Sequence, residues 1–363
     1  MRLCFVIKSL SIEAGGAERV LCDISSELAR RGHSVEIASF DRRTAVDFYS
    51  LDPAVGRTRL GIGKVETQSG LFEFARRIAH LRSLMIARRP DAAIGFMHSS
   101  YVPLAVACWG TGVRVIASEH SAHQHYRKRP LEKLLIHAIA QLCAGFTTTL
   151  ENVRLGFPAA LGDRMTVIPN PVGFRPQPSK PSEGDRRRLL FVANFRPEKD
   201  HRTLVAAFAR LAQAHPSWDL RLVGEGNLRP HVERLVEQLG LQSRVTFTGA
   251  LTDLSDEYAQ ADLFAIPSVY ESFGLATAEA LASGLAVIGF ADCPATSHLV
   301  ENGINGILVQ GPDRADALAE GLDRVMRSGQ LRKKLGRAAP QTVERYSIKS
   351  VADRWEELLR SLD

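Results

Sequence analysis

Residues 270–284 read YESFGLATAEALASG. Glu271 and Glu279 stand eight apart, with Phe273, Gly274 and Leu275 between them. A glycine turn that opens a helix presents backbone N–H groups without intrahelical partners, and these favour phosphate oxygens. A carboxylate beside such a turn repels phosphate, but it suits the hydroxyls of a diol, as acidic residues suit those of ribose. Glu279, in the second helical turn, and Glu271, ahead of the turn, therefore bracket a phosphate position. The chemistry fits a molecule with a charged middle and two hydroxyl-rich ends, such as a sugar nucleotide. An ordinary helix cap beside a solvated glutamate is the competing reading, and the wider pattern tells against it.

Other groups fall where they could serve such a molecule. In RPEKD (196–200), Arg196 and Lys199 follow an apolar run at its carboxyl end. Two cations there suit a diphosphate, or else a surface ion-pair set, and spacing alone leaves both readings open. Gly15 and Gly16 precede a helical pattern, which fits close approach of an anion or a plain turn. GEGNLR (224–229) begins like a dinucleotide fingerprint and fails as one, because Arg229 stands at the third glycine position. Gly224 and Glu225 are left as a loop for phosphate or base. SEHSAHQHY (118–126) offers His120, His123 and His125. No carboxylate or cysteine joins them at a familiar metal spacing, so a single cleft-facing imidazole, His120, is the favoured reading.

Positioning these residues requires a repeated alternation of strand and helix. Strands are expected at 3–7, 34–40, 92–97, 113–118 and 146–150, and again at 189–195, 219–224, 244–249, 263–267, 286–290 and 306–309. These runs are rich in Val, Ile and Leu without strict alternation, as in strands buried on both faces. Between them, 17–31 places Val20, Leu21, Ile24 and Leu28 on one helical face, closed by Gly32. The alternation predicts an α/β fold of two doubly wound, Rossmann-like domains facing across a cleft. We place the first at 1–170 and the second at 171–346, with a terminal helix, 347–363, returning to the first. The proline-rich stretch 170–185 reads as a stiff connector. Ligands bind at the carboxyl ends of strands in such sheets, so the cleft is the expected site.

The chain has 363 residues, 45% apolar and 24% charged, which suits two soluble domains. Its five cysteines form no C-x-x-C pair, which argues against a disulfide framework or a thiolate metal site and for a reducing cytoplasm. MRLCFVIKSL is too short and too interrupted by Lys8 for a signal peptide. No apolar run reaches the roughly 18 residues of a membrane span. Residues 1–175 hold 23 Lys and Arg against 15 Asp and Glu, while the remainder holds 23 against 25. The excess reads either as solvated helix faces or as a half that meets an anionic membrane surface. Nucleic acid fits less well, since no aromatic groups are interleaved with the bases.

Taken in order, GGAER (15–19), SEH (118–120), IPNPV (168–172), RPEKD, GEG, VTFTG (245–249), the two-glutamate motif and VENGINGILV (300–309) resemble the retaining nucleotide-sugar glycosyltransferases of family four, which have the GT-B fold. Within that family, GGAER, SEHS and the DCP of residues 292–294 are most similar to bacterial enzymes of surface polysaccharide and lipid-linked oligosaccharide synthesis. The resemblance implies that Gly15 and Gly16 lie against the donor phosphate and that His120 faces the donor sugar. It assigns Lys199 to the diphosphate, Glu271 to the donor sugar and Glu279 to the ribose. It implies transfer of a hexose or N-acetylhexosamine from a UDP-sugar to a sugar acceptor, with retention. The expected acceptor is a membrane lipid-linked oligosaccharide met at the inner face of the cytoplasmic membrane. Ala193-Asn194 stand where the family carries Gly-Arg, so Asn194 and Arg196 are the candidates for that role. No D-x-D is present, and no cofactor or metal is expected. A nucleotide-sugar epimerase or hydrolase on the same fold, or a non-catalytic sugar-nucleotide-binding homologue, stays open at this stage.

Overall fold

The computed structural model describes residues 1–11, 15–62, 70–127, 129–172 and 186–362. Most of the proline-rich connector, 173–185, lies outside the described residues. The chain divides into two compact units, Met1–Gly173 with Tyr346–Asp363, and Phe174–Arg345.

The first unit is built on seven strands: β1 (Arg2–Ile7), β2 (Ser34–Ser39), β3 (Gly56–Arg59), β4 (Ala92–Phe96), β5 (Arg114–Ser118), β6 (Gly145–Thr148) and β7 (Met165–Val167). All their pairings are parallel, in the order β3-β2-β1-β4-β5-β6-β7. The second unit carries β8 (Arg187–Val192), β9 (Trp218–Val223), β10 (Val245–Phe247), β11 (Leu263–Ile266), β12 (Val287–Phe290) and β13 (Gly306–Val309). These are also parallel, in the order β10-β9-β8-β11-β12-β13. Strand order reverses between β1 and β4 in one sheet and between β8 and β11 in the other. Those reversals open crevices at the carboxyl ends of the strands.

The central strands are buried because helices cover both faces of each sheet. Leu3 to Ile7 and Leu263 to Ile266 are all inaccessible. The two strands that the apolar pattern did not mark, β3 (GRTR) and β7 (MTV), are the outermost strands of the seven-stranded sheet. An edge strand pairs on one side only, so it needs no continuous apolar run. Thr58 Oγ1 in β3 donates to Glu36 Oε1 of β2 at 2.5 Å.

Helix Gly16–Arg30 buries Val20, Leu21, Ile24 and Leu28 against its sheet. The last helix, Ile348–Ser361, belongs to the first unit. Its Trp355 lies in ring contact with Phe5 and Phe96. Arg31 Nη1 donates to Asp353 at 2.6 Å, and His33 Nε2 lies 3.0 Å from Glu356. No helix among the described residues is long and apolar enough to cross a membrane.

Candidate active site

The reversal between β8 and β11 brings Lys199 and Glu271 together. After β8 the chain passes Ala193, Asn194 and Phe195 into a 3-10 turn, Pro197–Lys199. Asp200 then takes a left-handed φ of 50°, and its carboxylate accepts the Thr203 N–H to cap helix His201–Leu211. This ending aims Lys199 at the loop that follows β11. Lys199 Nζ donates to both Glu271 oxygens, at 2.7 and 2.6 Å. Ser268 Oγ donates to Glu271 Oε1 at 2.8 Å, and the Val269 N–H donates to the Glu198 carbonyl at 2.8 Å, tying the two loops. The ion-pair set considered for RPEKD is therefore not internal to that loop, since the partner of Lys199 lies 72 residues further on. Arg196 is exposed and has no ion pair among the described residues.

Gly274 follows with φ 81° and ψ 56°, a left-handed conformation that an L side chain strains. It opens helix Leu275–Ala282, whose first turn has no side-chain cap. The early N–H groups of such a helix can take an anion. Glu279 lies one turn on, 3% exposed, and accepts from Tyr258 Oη at 2.8 Å. Phe273 is buried in the core, so what it can offer a ligand is backbone. Leu275 is half-buried.

The GEG loop has a packing explanation. Gly224 has φ 142°, and a β-carbon there would lie 2.2 Å from the Ala193 carbonyl oxygen. The glycine lets the loops after β8 and β9 touch, where the Phe195 N–H donates to Glu225 O, while the Gly224 N–H donates to Gly249 O in the loop after β10, both at 2.9 Å. The Glu225 carboxylate is paired with Arg229, which also donates to Glu233 at 2.7 Å. Asn194 is half-buried, and its carbonyl accepts the Arg196 N–H.

In the first unit, Gly15 caps helix Gly16–Arg30 without a side-chain hydrogen bond, and the Glu18 carboxylate lies against it. Residues 12–14, just upstream, are outside the described residues. The loop before them is anchored on buried Asp41, which accepts from Ser9 Oγ (2.5 Å), the Leu10 N–H (2.9 Å), Ser11 Oγ (2.9 Å) and Ser39 Oγ (2.6 Å). Burial pushes the Asp41 carboxyl up, but these donors outweigh it and hold the group below its ordinary range.

His120 follows β5. Its ring stacks on Phe96 at 4.5 Å, and its Nε2 lies 2.9 Å from Ser118 Oγ, which accepts from Thr147 Oγ1. Burial pushes its pKa down to about 4 against the opposing pull of the Asn170 side chain, so the imidazole is neutral at pH 7. Nδ1 of His120 and Oδ1 of Asn170 are both buried, and neither makes a hydrogen bond of ordinary geometry among the described residues. The preceding Glu119 is 1% exposed and accepts from Tyr101 Oη (2.6 Å), Tyr126 Oη (2.7 Å) and the Ser121 N–H (2.7 Å). It fixes the loop that carries His120. His123 and His125 sit in the 3-10 turn His123–Tyr126 and converge on no third ligand; no metal-binding group of His, Cys, Asp or Glu occurs among the described residues.

Sequence reasoning passed over Asp41, Glu119, Tyr258 and Ser268. Glu119 stands inside the SEH motif and Ser268 three residues before Glu271, whereas Tyr258 lies 21 residues before the acid it holds.

A family model described as glycosyl transferases group 1 matches residues 175–342, and one described as glycosyltransferase family 4 matches residues 14–173. The chain is a family-four glycosyltransferase. Over its full length this glycosyltransferase is 26% identical to an exopolysaccharide phosphotransferase of Streptomyces coelicolor, and it spans 41% of that relative. It is 24% identical to the GalNAc-alpha-(1->4)-GalNAc-alpha-(1->3)-diNAcBac-PP-undecaprenol alpha-1,4-N-acetyl-D-galactosaminyltransferase of Campylobacter jejuni, covering 99% of this chain and 98% of that one. Its fold matches the solved structure of Anabaena HepE in complex with UDP-glucose with a TM-score of 0.79 at 20% identity, covering 99% of this chain and 100% of that one. The two Rossmann-like sheets are those of a GT-B glycosyltransferase.

Proposed function

We propose that this glycosyltransferase moves a hexose or N-acetylhexosamine from a UDP-sugar to a sugar acceptor carried on a membrane lipid, with retention of anomeric configuration. The observation that carries the donor assignment is the Lys199–Glu271 pair at the β8/β11 reversal, followed by the uncapped helix Leu275–Ala282 with Glu279 buried in its second turn. Glu279 accepts from the ribose hydroxyls. Lys199, Arg196 and the helix N-terminus take the diphosphate, and Glu271 then turns to the donor sugar. His120, whose imidazole is neutral at pH 7, is the candidate for the donor sugar. The bond from the anomeric carbon to the diphosphate oxygen breaks, and its electron pair leaves with the diphosphate. The acceptor hydroxyl attacks the same face, and its proton passes to the departing phosphate oxygen. The protein contributes by stabilising the oxocarbenium-like state and the charge on the leaving group. Two side-chain cations and a helix N-terminus do this without a metal in the proposed scheme, in keeping with the missing D-x-D.

The lipid-linked acceptor is supported by the relative from Campylobacter jejuni, whose name carries a polyprenol-linked acceptor. Two helices of the first unit also support it. Helix Leu71–Arg88 exposes Leu71, Phe72 and Ile86 beside its arginines. Helix Pro130–Ala140 buries Ile136 and Ile139 and exposes Leu131 and Leu134, with Arg127 and Arg129 at its head. Both helices pack against helix His98–Cys108. Such faces suit the interface of an anionic membrane on the cytoplasmic side.

The test is a product-mass screen of UDP-sugars against polyprenyl-diphosphate-linked glycans in excess EDTA. The proposal expects one glycan to gain a single sugar mass with release of UDP, and NMR of the product to show the donor's anomeric configuration. Isomerised or hydrolysed donor without transfer, or transfer only after Mg²⁺ or Mn²⁺ is restored, contradicts it.

A further inference from the structure

Arg314 opens helix Arg314–Arg327, in the loop after β13, and its guanidinium reaches the loops that follow three other strands. Nη2 donates to the carbonyls of Pro267 (3.0 Å) and Ser268 (3.3 Å), just past β11. Nη1 donates to both oxygens of Asp292, just past β12, at 3.1 and 2.8 Å. Nε lies 3.6 Å from Oδ2 of Asp200, the residue after Lys199. The planar group sits 3.6 Å over the ring of Phe290, the last residue of β12.

A guanidinium is the one side chain that can serve several acceptors from a single rigid plane while stacking on an aromatic face. Here two acceptors are backbone carbonyls just before Glu271, and the Asp200 carboxylate, next to Lys199, faces Nε as an ion pair at 3.6 Å. Ser268, whose carbonyl Arg314 holds, donates its hydroxyl to Glu271. Asp200, beside Nε, terminates the turn that aims Lys199. No sequence motif marks position 314, and its hydrogen-bond partners lie 22, 46 and 47 residues away.

We propose that Arg314 is a positioning residue of the donor site: from one guanidinium it fixes the loop carrying Glu271 against the turn carrying Lys199. It touches no reacting atom and acts through Ser268 and Asp200. The inference rests on the donor reading above, because it assumes that Lys199 serves a diphosphate.

The test compares the full-length wild type with Arg314→Met, Arg314→Lys and Ser268→Ala. UDP binding is read by calorimetry, uridine binding by ligand-observed NMR, and the thermal midpoint by circular dichroism. A positioning role lowers UDP affinity about tenfold in Arg314→Met while uridine affinity and the thermal midpoint stay near wild type. Arg314→Lys restores only part of the loss, because one ammonium cannot span the same acceptors. The double variant Arg314→Met/Ser268→Ala binds UDP no more weakly than the worse single variant, since Arg314 and Ser268 hold the same loop. Variants that bind UDP within twofold of wild type overturn the inference alone. So does a parallel fall in uridine affinity and thermal midpoint, which is the signature of a merely structural arginine. A wild type that binds no UDP overturns the donor reading and this inference with it.

Discussion

Lys199 and Glu271 pair with one another, with side chains 22% and 11% exposed. In the proposed scheme a diphosphate entering the site competes with Glu271 for the ammonium, and the carboxylate is thereby released toward the sugar. Lys199→Ala should therefore cut turnover roughly a hundredfold, the scale at which one charge-stabilising donor is lost. The same change strands the Glu271 carboxylate, which costs about 1–3 kcal/mol of stability. Lys199→Met/Glu271→Gln should recover the thermal midpoint without recovering activity. If Lys199→Ala stays active and Arg196→Ala is inactive, the exposed arginine is the main phosphate ligand instead.

At the scale of elements, the loop endings depend on close packing that a single atom disturbs. Gly224→Ala puts a methyl 2.2 Å from the Ala193 carbonyl at a φ of 142°, and denaturant unfolding should show a loss of about 1–3 kcal/mol. Helix His201–Leu211 brings a second sensitivity. His201 is 4% exposed, stacked on Phe195 at 4.0 Å, and burial pushes its pKa down to about 3 from its ordinary 6.5. Between those values the unfolded chain binds a proton that the folded chain does not. Its contribution to stability is therefore full above pH 6.5 and is lost as pH falls toward 3, at roughly 1.4 kcal/mol per pH unit. His201→Phe should lose about 2 kcal/mol less than wild type between pH 7 and pH 5 in urea titrations; equal losses contradict the burial argument. Much of this scale was legible in advance. LCFVI and LFAIP announce central strands because both faces are covered, whereas GRTR and MTV are silent because an edge strand needs no such pattern. The eight-residue spacing of Glu271 and Glu279 lay in plain view. Tyr258 did not, because a hydrogen bond made by tertiary folding leaves no periodicity, and the 72-residue separation of Lys199 from Glu271 is of that kind.

At the scale of the whole molecule, the excess of basic residues in the first 175 positions and the exposed leucines of helices Leu71–Arg88 and Pro130–Ala140 argue for reversible membrane contact. Each basic residue near an anionic surface adds about 1 kcal/mol, and salt weakens it. Wild type should co-sediment with anionic vesicles at low salt and release at high salt. Glutamate at Arg127, Lys128 and Arg129 should abolish this without affecting UDP binding, Lys128 itself lying outside the described residues. Failure of the wild type to co-sediment favours a soluble acceptor. The donor assignment is the claim on which the rest stands, and calorimetric titration of UDP in EDTA, wild type against Glu279→Ala, tests it most directly. A buried hydrogen bond to a charged group is worth about 1.5–3 kcal/mol, so the variant should bind UDP roughly ten- to a hundredfold more weakly. UDP affinity unchanged by removal of the Glu279 carboxylate would contradict the account.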